Sequence, residues 1–130
     1  MKNLIIFLSI FLISCNANKK IQLNETETNM ISKLTEIKSE EKFIEGSNGW
    51  DGYTGCKNPD EKNAYSKNIN DLINILIQSI KDKKDKSSQE KIIDEYLLNI
   101  ENLTEKYKAD TDESEMNYMY FERIRQILEI

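Results

Sequence analysis

Residues 58–80 read NPDEKNAYSKNINDLINILIQSI, and this stretch decides the fold. Asn58 is a good N-cap. Pro59 suits the first helical position, where its missing N–H costs nothing, and Glu61 stands where a capping box is completed. Ala64, Tyr65, Ile69, Leu72, Ile73, Leu76, Ile77 and Ile80 then recur at helical spacing, and Ile75 widens the stripe. The pattern predicts one long amphipathic helix over about residues 59–82. A face that broad must be covered, and the rest of the chain supplies helices to cover it.

Upstream, Asn24 with Glu27 forms a variant capping box. Met30, Ile31, Leu34 and Ile37 follow on one face, with Lys33, Glu36, Lys38 and Glu40 toward water. The spacing predicts a helix over about residues 25–43, closed against the core by Phe43 and Ile44. Downstream, the run from Lys81 to Lys86 reads as a helix C-terminus and a solvated turn, since Asp82 and Asp85 interrupt its positive charge. Ser87 and Glu90 restart the pattern as cap and box partner. Ile92, Ile93, Tyr96, Leu97, Ile100, Leu103 and Tyr107 then mark a helix over about residues 88–108. Asp110 or Asp112 caps a last helix striped by Met116, Met119, Tyr120, Ile124, Ile127 and Leu128, with Arg123 and Arg125 toward its C-terminal end. No segment alternates as a strand does. The expected fold is all-α, a small four-helix bundle-like domain over residues 24–130 with a Gly-rich loop between helices 1 and 2.

That loop holds every glycine of the chain: Gly46, Gly49, Gly52 and Gly55, at intervals of three. Trp50 and Tyr53 lie among them, and two large rings favour an ordered loop. The glycines follow no strand and open no βαβ unit, so they do not make a dinucleotide site. Two readings stand: Trp50 plugs the bundle, or Trp50 and Tyr53 form a partner-binding surface.

Composition narrows the chemistry. The chain has no histidine, which removes the usual general base, zinc ligand and triad member. Its formal charge of -5 disfavours nucleic acid, which needs basic surface. Asp110-Thr-Asp112-Glu-Ser114-Glu115 imitates the start of a calcium loop. Glu115 stands where such a loop needs glycine and Phe121 where it needs glutamate, so capping is the better reading. Glu95 and Glu101 are six apart with no apolar pocket context and read as a solvated outer helix face, whereas glycosidase chemistry needs two carboxylates across a cleft. Cys56 has Lys57 beside it to lower its pKa, but no histidine to act as its base. No catalytic residue, metal site or cofactor is expected.

The first fifteen residues, MKNLIIFLSIFLISC, carry Lys2 and then an apolar run from Leu4 to Ile13 broken only by Ser9. As a helix that run is roughly 15 Å long, about half a bilayer core, so it reads as a signal peptide over residues 1–14. Leu12-Ile13-Ser14-Cys15 resembles the lipobox of bacterial lipoproteins. The resemblance implies that Cys15 is acylated and becomes the first residue of the mature chain, with residues 15–23 as lipidated cysteine and tether. Asn16 in place of aspartate favours the outer membrane over the inner. An acylated Cys15 leaves Cys56 without an intramolecular partner; a free Cys15 leaves a Cys15–Cys56 disulfide open in an oxidising compartment.

From Phe43 onward the chain resembles a bacterial family, the domain of unknown function 4844. The features are Lys42-Phe43 ahead of Tyr53-Thr54-Gly55, the helix from Asn68 to Ile80, and Asp110 to Glu113 followed by Tyr120-Phe121-Glu122 and the tail to Ile130. Thr54 stands where that family leads one to expect proline, and the glycine-rich insert is longer than expected. The family carries no assigned catalytic residues, so the resemblance transfers no function.

The leading expectation is a non-enzymatic envelope lipoprotein, held to the membrane through Cys15, that binds a protein partner of basic character. An immunity or inhibitor protein is its narrower form. The alternatives are a structural or envelope-maintenance lipoprotein with no soluble ligand, and an enzyme of unknown class.

Overall fold

The computed structural model describes residues 21–130. The leader expected over residues 1–14 and the acylation expected at Cys15 concern residues outside the described ones. Four helices follow in order: α1 (Glu25–Ser39), α2 (Pro59–Lys81), α3 (Lys86–Lys106) and α4 (Thr111–Leu128). Between α1 and α2 a short 3-10 turn, Ser47–Gly49, sits inside the glycine loop. Among the described residues there is no strand. The helices close a ring, α1 against α2, α2 against α3, α3 against α4 and α4 back against α1, so each apolar stripe faces the same interior.

Local chemistry sets the boundaries. Asn24 Oδ1 accepts from Glu27 N at 2.8 Å and Glu27 Oε1 accepts from Asn24 N at 3.0 Å, the reciprocal box expected at α1. Asn58 caps α2 through Asp60 N and Glu61 N, with Pro59 at the first position. Glu61 does not complete a box there: it turns inward and accepts from Tyr65 Oη at 3.0 Å. The cap of α3 is Asp85 and not Ser87, with Asp85 Oδ1 accepting from Ser88 N at 2.8 Å. Aspartate also brings a negative charge to the helix's positive end. Of the two candidates for α4, Asp110 is the cap, accepting from Glu113 N at 2.9 Å.

The first helix is shorter than the pattern predicts. It stops at Ser39, and Glu40 is extended. Phe43 follows at φ 59°, a left-handed conformation that no helix accepts. The bend drops the Phe43 ring into the core, fully buried between Tyr65 and Tyr120 with centroids 5.3 and 5.1 Å away. Ile44, expected to close the core with it, points outward. Lys42 is buried in the same bend, and its Nζ donates to Lys38 O and Glu40 O at 3.1 and 3.0 Å, satisfying two carbonyls that the helix end leaves open.

The core holds Leu34 and Ile37 of α1, Tyr65, Ile69, Leu72, Ile73, Leu76 and Ile80 of α2, Ile93 and Ile100 of α3, and Met116, Tyr120, Phe121, Ile124 and Leu128 of α4. The bundle has two distinct poles. Lys83, in the α2–α3 turn, pairs with Glu27 at the start of α1, and Lys86 Nζ donates to Glu129 O at the end of α4. The glycine loop and the α3–α4 turn lie together at the other pole, where Tyr53 meets Glu113.

Candidate functional site

The segment from Glu40 to Asn58 is an ordered loop, tied at both ends. Cys56 N donates to Phe43 O at 2.9 Å, and Gly46 N to Tyr53 O at 3.1 Å. Inside this clasp, Ser47 N donates to Ile44 O, Gly49 N to Gly46 O, Trp50 N to Ser47 O and Tyr53 N to Trp50 O. Gly55 has a conformational reason to be there. Its φ is +90°, and a Cβ on it would lie 3.2 Å from Glu45 N, where the two legs of the clasp touch.

The two aromatic residues singled out in the loop have different places. Tyr53 is 1% exposed and belongs to the core, so it shapes the loop from beneath. Trp50 is partly buried against the core: its ring packs on Tyr53 at a centroid distance of 5.5 Å and lies over Gly52. Trp50 is therefore both part of the loop's packing and part of its surface.

Beside the loop a groove of about 750 Å³ runs along α4. Asn48 and Gly49 form one wall, and Tyr118, Met119, Glu122 and Arg123 the other. Arg123 spans it as a fork. Its Nη1 donates to Glu40 Oε2 at 2.7 Å and to Asn48 Oδ1 at 3.1 Å, and its Nη2 donates to Glu40 Oε1. The bidentate pair holds the Glu40 carboxyl below its ordinary range. With Glu40, Glu115 and Glu122 against one guanidinium, the groove is acidic. Tyr118 is more than half exposed on its rim.

On the loop's opposite flank lies a pocket of about 280 Å³ with two buried tyrosine–carboxylate pairs in its wall. Tyr53 Oη donates to Glu113 Oε2 at 2.7 Å, and Tyr65 Oη to Glu61 Oε1 at 3.0 Å. Burial raises the Glu113 carboxyl above the usual carboxylate range, against the opposing pull of the Tyr53 hydrogen bond. Burial, then the neighbouring carboxylates, push both phenols well above theirs. The Cys56 thiol is pushed up to about 11, by burial first and then by Glu113 and Glu61. At neutral pH it is a protonated thiol, the reverse of an activated nucleophile.

Sequence reasoning placed Glu61 and Glu113 at helix starts and missed their burial. A signal for Glu61 was present, because Tyr65 is one helical turn away on the same face. None existed for Glu113, whose partner lies sixty residues earlier. The acidic run at residues 110–115 is absorbed by the helix start and by Tyr53. Among the described residues, no group of three or more His, Cys, Asp or Glu side chains is placed to hold a metal ion. No described helix is long and apolar enough to cross a membrane.

Fold and site together define a small all-α domain of four helices, clasped at one pole by an ordered glycine loop that flanks an acidic groove. The chain belongs to the family described as Domain of unknown function (DUF4844), whose model matches residues 25–130. That match starts at the first residue of α1, so membership takes in the whole bundle and not only the part from Phe43 onward. No curated protein and no solved structure matches the chain.

Proposed function

We propose that this protein is a non-enzymatic, lipid-anchored envelope protein that binds a protein partner through the glycine loop and the groove beside it. One observation supports the binding reading: the loop is internally hydrogen-bonded, lines an acidic groove through Asn48 and Gly49, and carries the partly buried Trp50 next in the chain. A clasped loop loses little conformational freedom on docking, and Trp, Tyr and Arg are the residues on which interface energy concentrates. The excess of carboxylates around Arg123 favours a basic partner and salt-sensitive association. An inhibitor or immunity role is the narrower form of this reading. The anchor rests on the lipobox-like Leu12-Ile13-Ser14-Cys15.

Two experiments test the proposal. Trp50→Ala, which removes a half-buried ring, should cost about 2 kcal/mol, below the roughly 3–5 kcal/mol of a fully buried one. At a temperature where the variant is still folded, it should lose partners that the wild-type chain captures from envelope extract at low salt. A folded variant that captures the same partners equally well removes the loop from the function. For the anchor, intact-mass analysis of membrane-extracted protein should find an acylated chain starting at Cys15, and Cys15→Ala should leave the precursor uncut. A mature chain without acyl groups rejects the anchor and leaves the binding reading to stand on Trp50 alone.

A further inference from the structure

Tyr118 forms a ridge between two concavities of the surface. On one side it bounds the acidic groove along α4, and on the other it lines a smaller cleft of about 120 Å³ between α4 and α3. Its side chain is 57% exposed. One exposed aromatic ring is ordinary in itself; what sets this one apart is its company. Glu115 stands three residues before it and Glu122 four after, on the same face of α4, and Glu101 of α3 shares the cleft with it. All three carboxylates are exposed, and none is in an ion pair with a described residue. The two arginines of α4 are engaged elsewhere, Arg123 with Glu40 and Asn48 and Arg125 with Asp94 at 3.5 Å.

This face of α4 therefore presents an open phenol ring flanked by carboxylates that lack a counter-charge in the described chain. Any cation answers the charge, but arginine answers the charge and the ring together. Its planar guanidinium stacks on a tyrosine face while its edge donates two parallel N–H groups to a carboxylate, whereas the compact, strongly hydrated ammonium of lysine has neither shape. The same groove is bounded by Asn48 and Gly49, so the ring is continuous with the loop surface described above. The volume of about 750 Å³ between them is room for the segment that carries the arginine. Resting on the protein-binding reading and deepening it, we propose that Tyr118 is the seat for an arginine side chain of the partner, stacked on the ring and paired with Glu115 and Glu122.

The test uses three short peptides, blocked at both ends and alike except at two positions that hold arginine, lysine or citrulline. Citrulline keeps the planar shape and removes the charge. Each is titrated into the full chain at low salt and followed by NMR shifts. The arginine peptide should bind saturably and move the Tyr118 ring and the backbone amides of Glu115 and Glu122. It should bind about tenfold tighter than the citrulline peptide and roughly threefold tighter than the lysine one. Tyr118→Leu should abolish the preference for arginine over lysine, and Glu115→Gln with Glu122→Gln should remove most of the salt dependence. These side chains are exposed, so melting should be nearly unchanged; if a variant does not fold, the three peptides on the wild-type chain decide by themselves. Equal affinity for arginine and lysine, shifts that map away from Tyr118, or no saturable binding overturns the proposal. Loss of partner capture by Trp50→Ala without arginine binding at Tyr118 keeps the loop reading and rejects this one. Arginine binding at Tyr118 with capture unchanged in Trp50→Ala keeps this seat and rejects the loop.

Discussion

Glu113 is a carboxylate in an environment that its type does not prefer. It is 7% exposed, receives one hydrogen bond from Tyr53, and has Asp110, Glu61 and Asp112 as like-charged neighbours, with Lys57 and Lys108 near the pocket mouth. Its folded-state pKa lies above the ordinary 4.5, so the folded protein binds this proton more tightly than the unfolded chain does. That contribution to stability is lost as pH rises through the folded value and regained on acidification toward 4.5. Glu40, tied to Arg123, and Glu41, tied to Lys62, have lowered values, so their stabilisation is present above 4.5 and lost below it. Melting temperature should therefore peak in mild acid, a little above 4.5, rather than at neutrality. Glu113→Gln keeps an acceptor for Tyr53 and removes the charge. It should flatten the acid-side rise while leaving the fall below 4.5 intact; a variant whose pH profile overlays that of the wild type would place the titrating group elsewhere.

Among the elements, the helices and the presence of an ordered glycine loop were legible in the sequence, and the loop's long-range contacts were not. Asn24, Asn58 and Asp110 announce their helices because capping is local chemistry, and the apolar stripes follow from the 3.6-residue period. The end of α1 was missed because Phe43 is helix-compatible by pattern. What stops the helix is a tertiary demand, the space between Tyr65 and Tyr120. The buried partner of Tyr53 was illegible for the same reason: nothing near Tyr53 points to Glu113. The glycine spacing marked an ordered loop, but only the fold shows which glycine is indispensable. Gly46 has φ +75° and open space around it, whereas Gly55 has φ +90° and backbone 3.2 Å from where a Cβ would sit. Gly46→Ala should thus cost only about 1 kcal/mol for its left-handed backbone. Gly55→Ala should cost roughly 2–3 kcal/mol and weaken protection of the Cys56 and Gly46 amides from hydrogen exchange. Equal losses from the two variants would mean that the two legs of the clasp are not in close contact.

On the scale of the whole molecule, the ring of four helices gives the chain a direction. Asn24, the α2–α3 turn and the end of α4 share one pole, and the clasped loop occupies the other, separated by the length of α1, about 22 Å for its fifteen residues. If a lipid on Cys15 moors the chain, the stretch over residues 16–23 reaches at most about 30 Å. The tether then leaves from the Lys83 pole, and an upright domain holds the glycine loop at the end away from the bilayer. Paramagnetic headgroups in a nanodisc should broaden the amides of Lys83 and Lys84 more strongly than those of Gly49 and Asp51, and the reverse gradient would mean that the loop lies against the lipid. If the moored domain stands upright, the mooring line and the glycine loop leave from opposite poles, so a visitor arriving from the aqueous side meets the loop first and the membrane last.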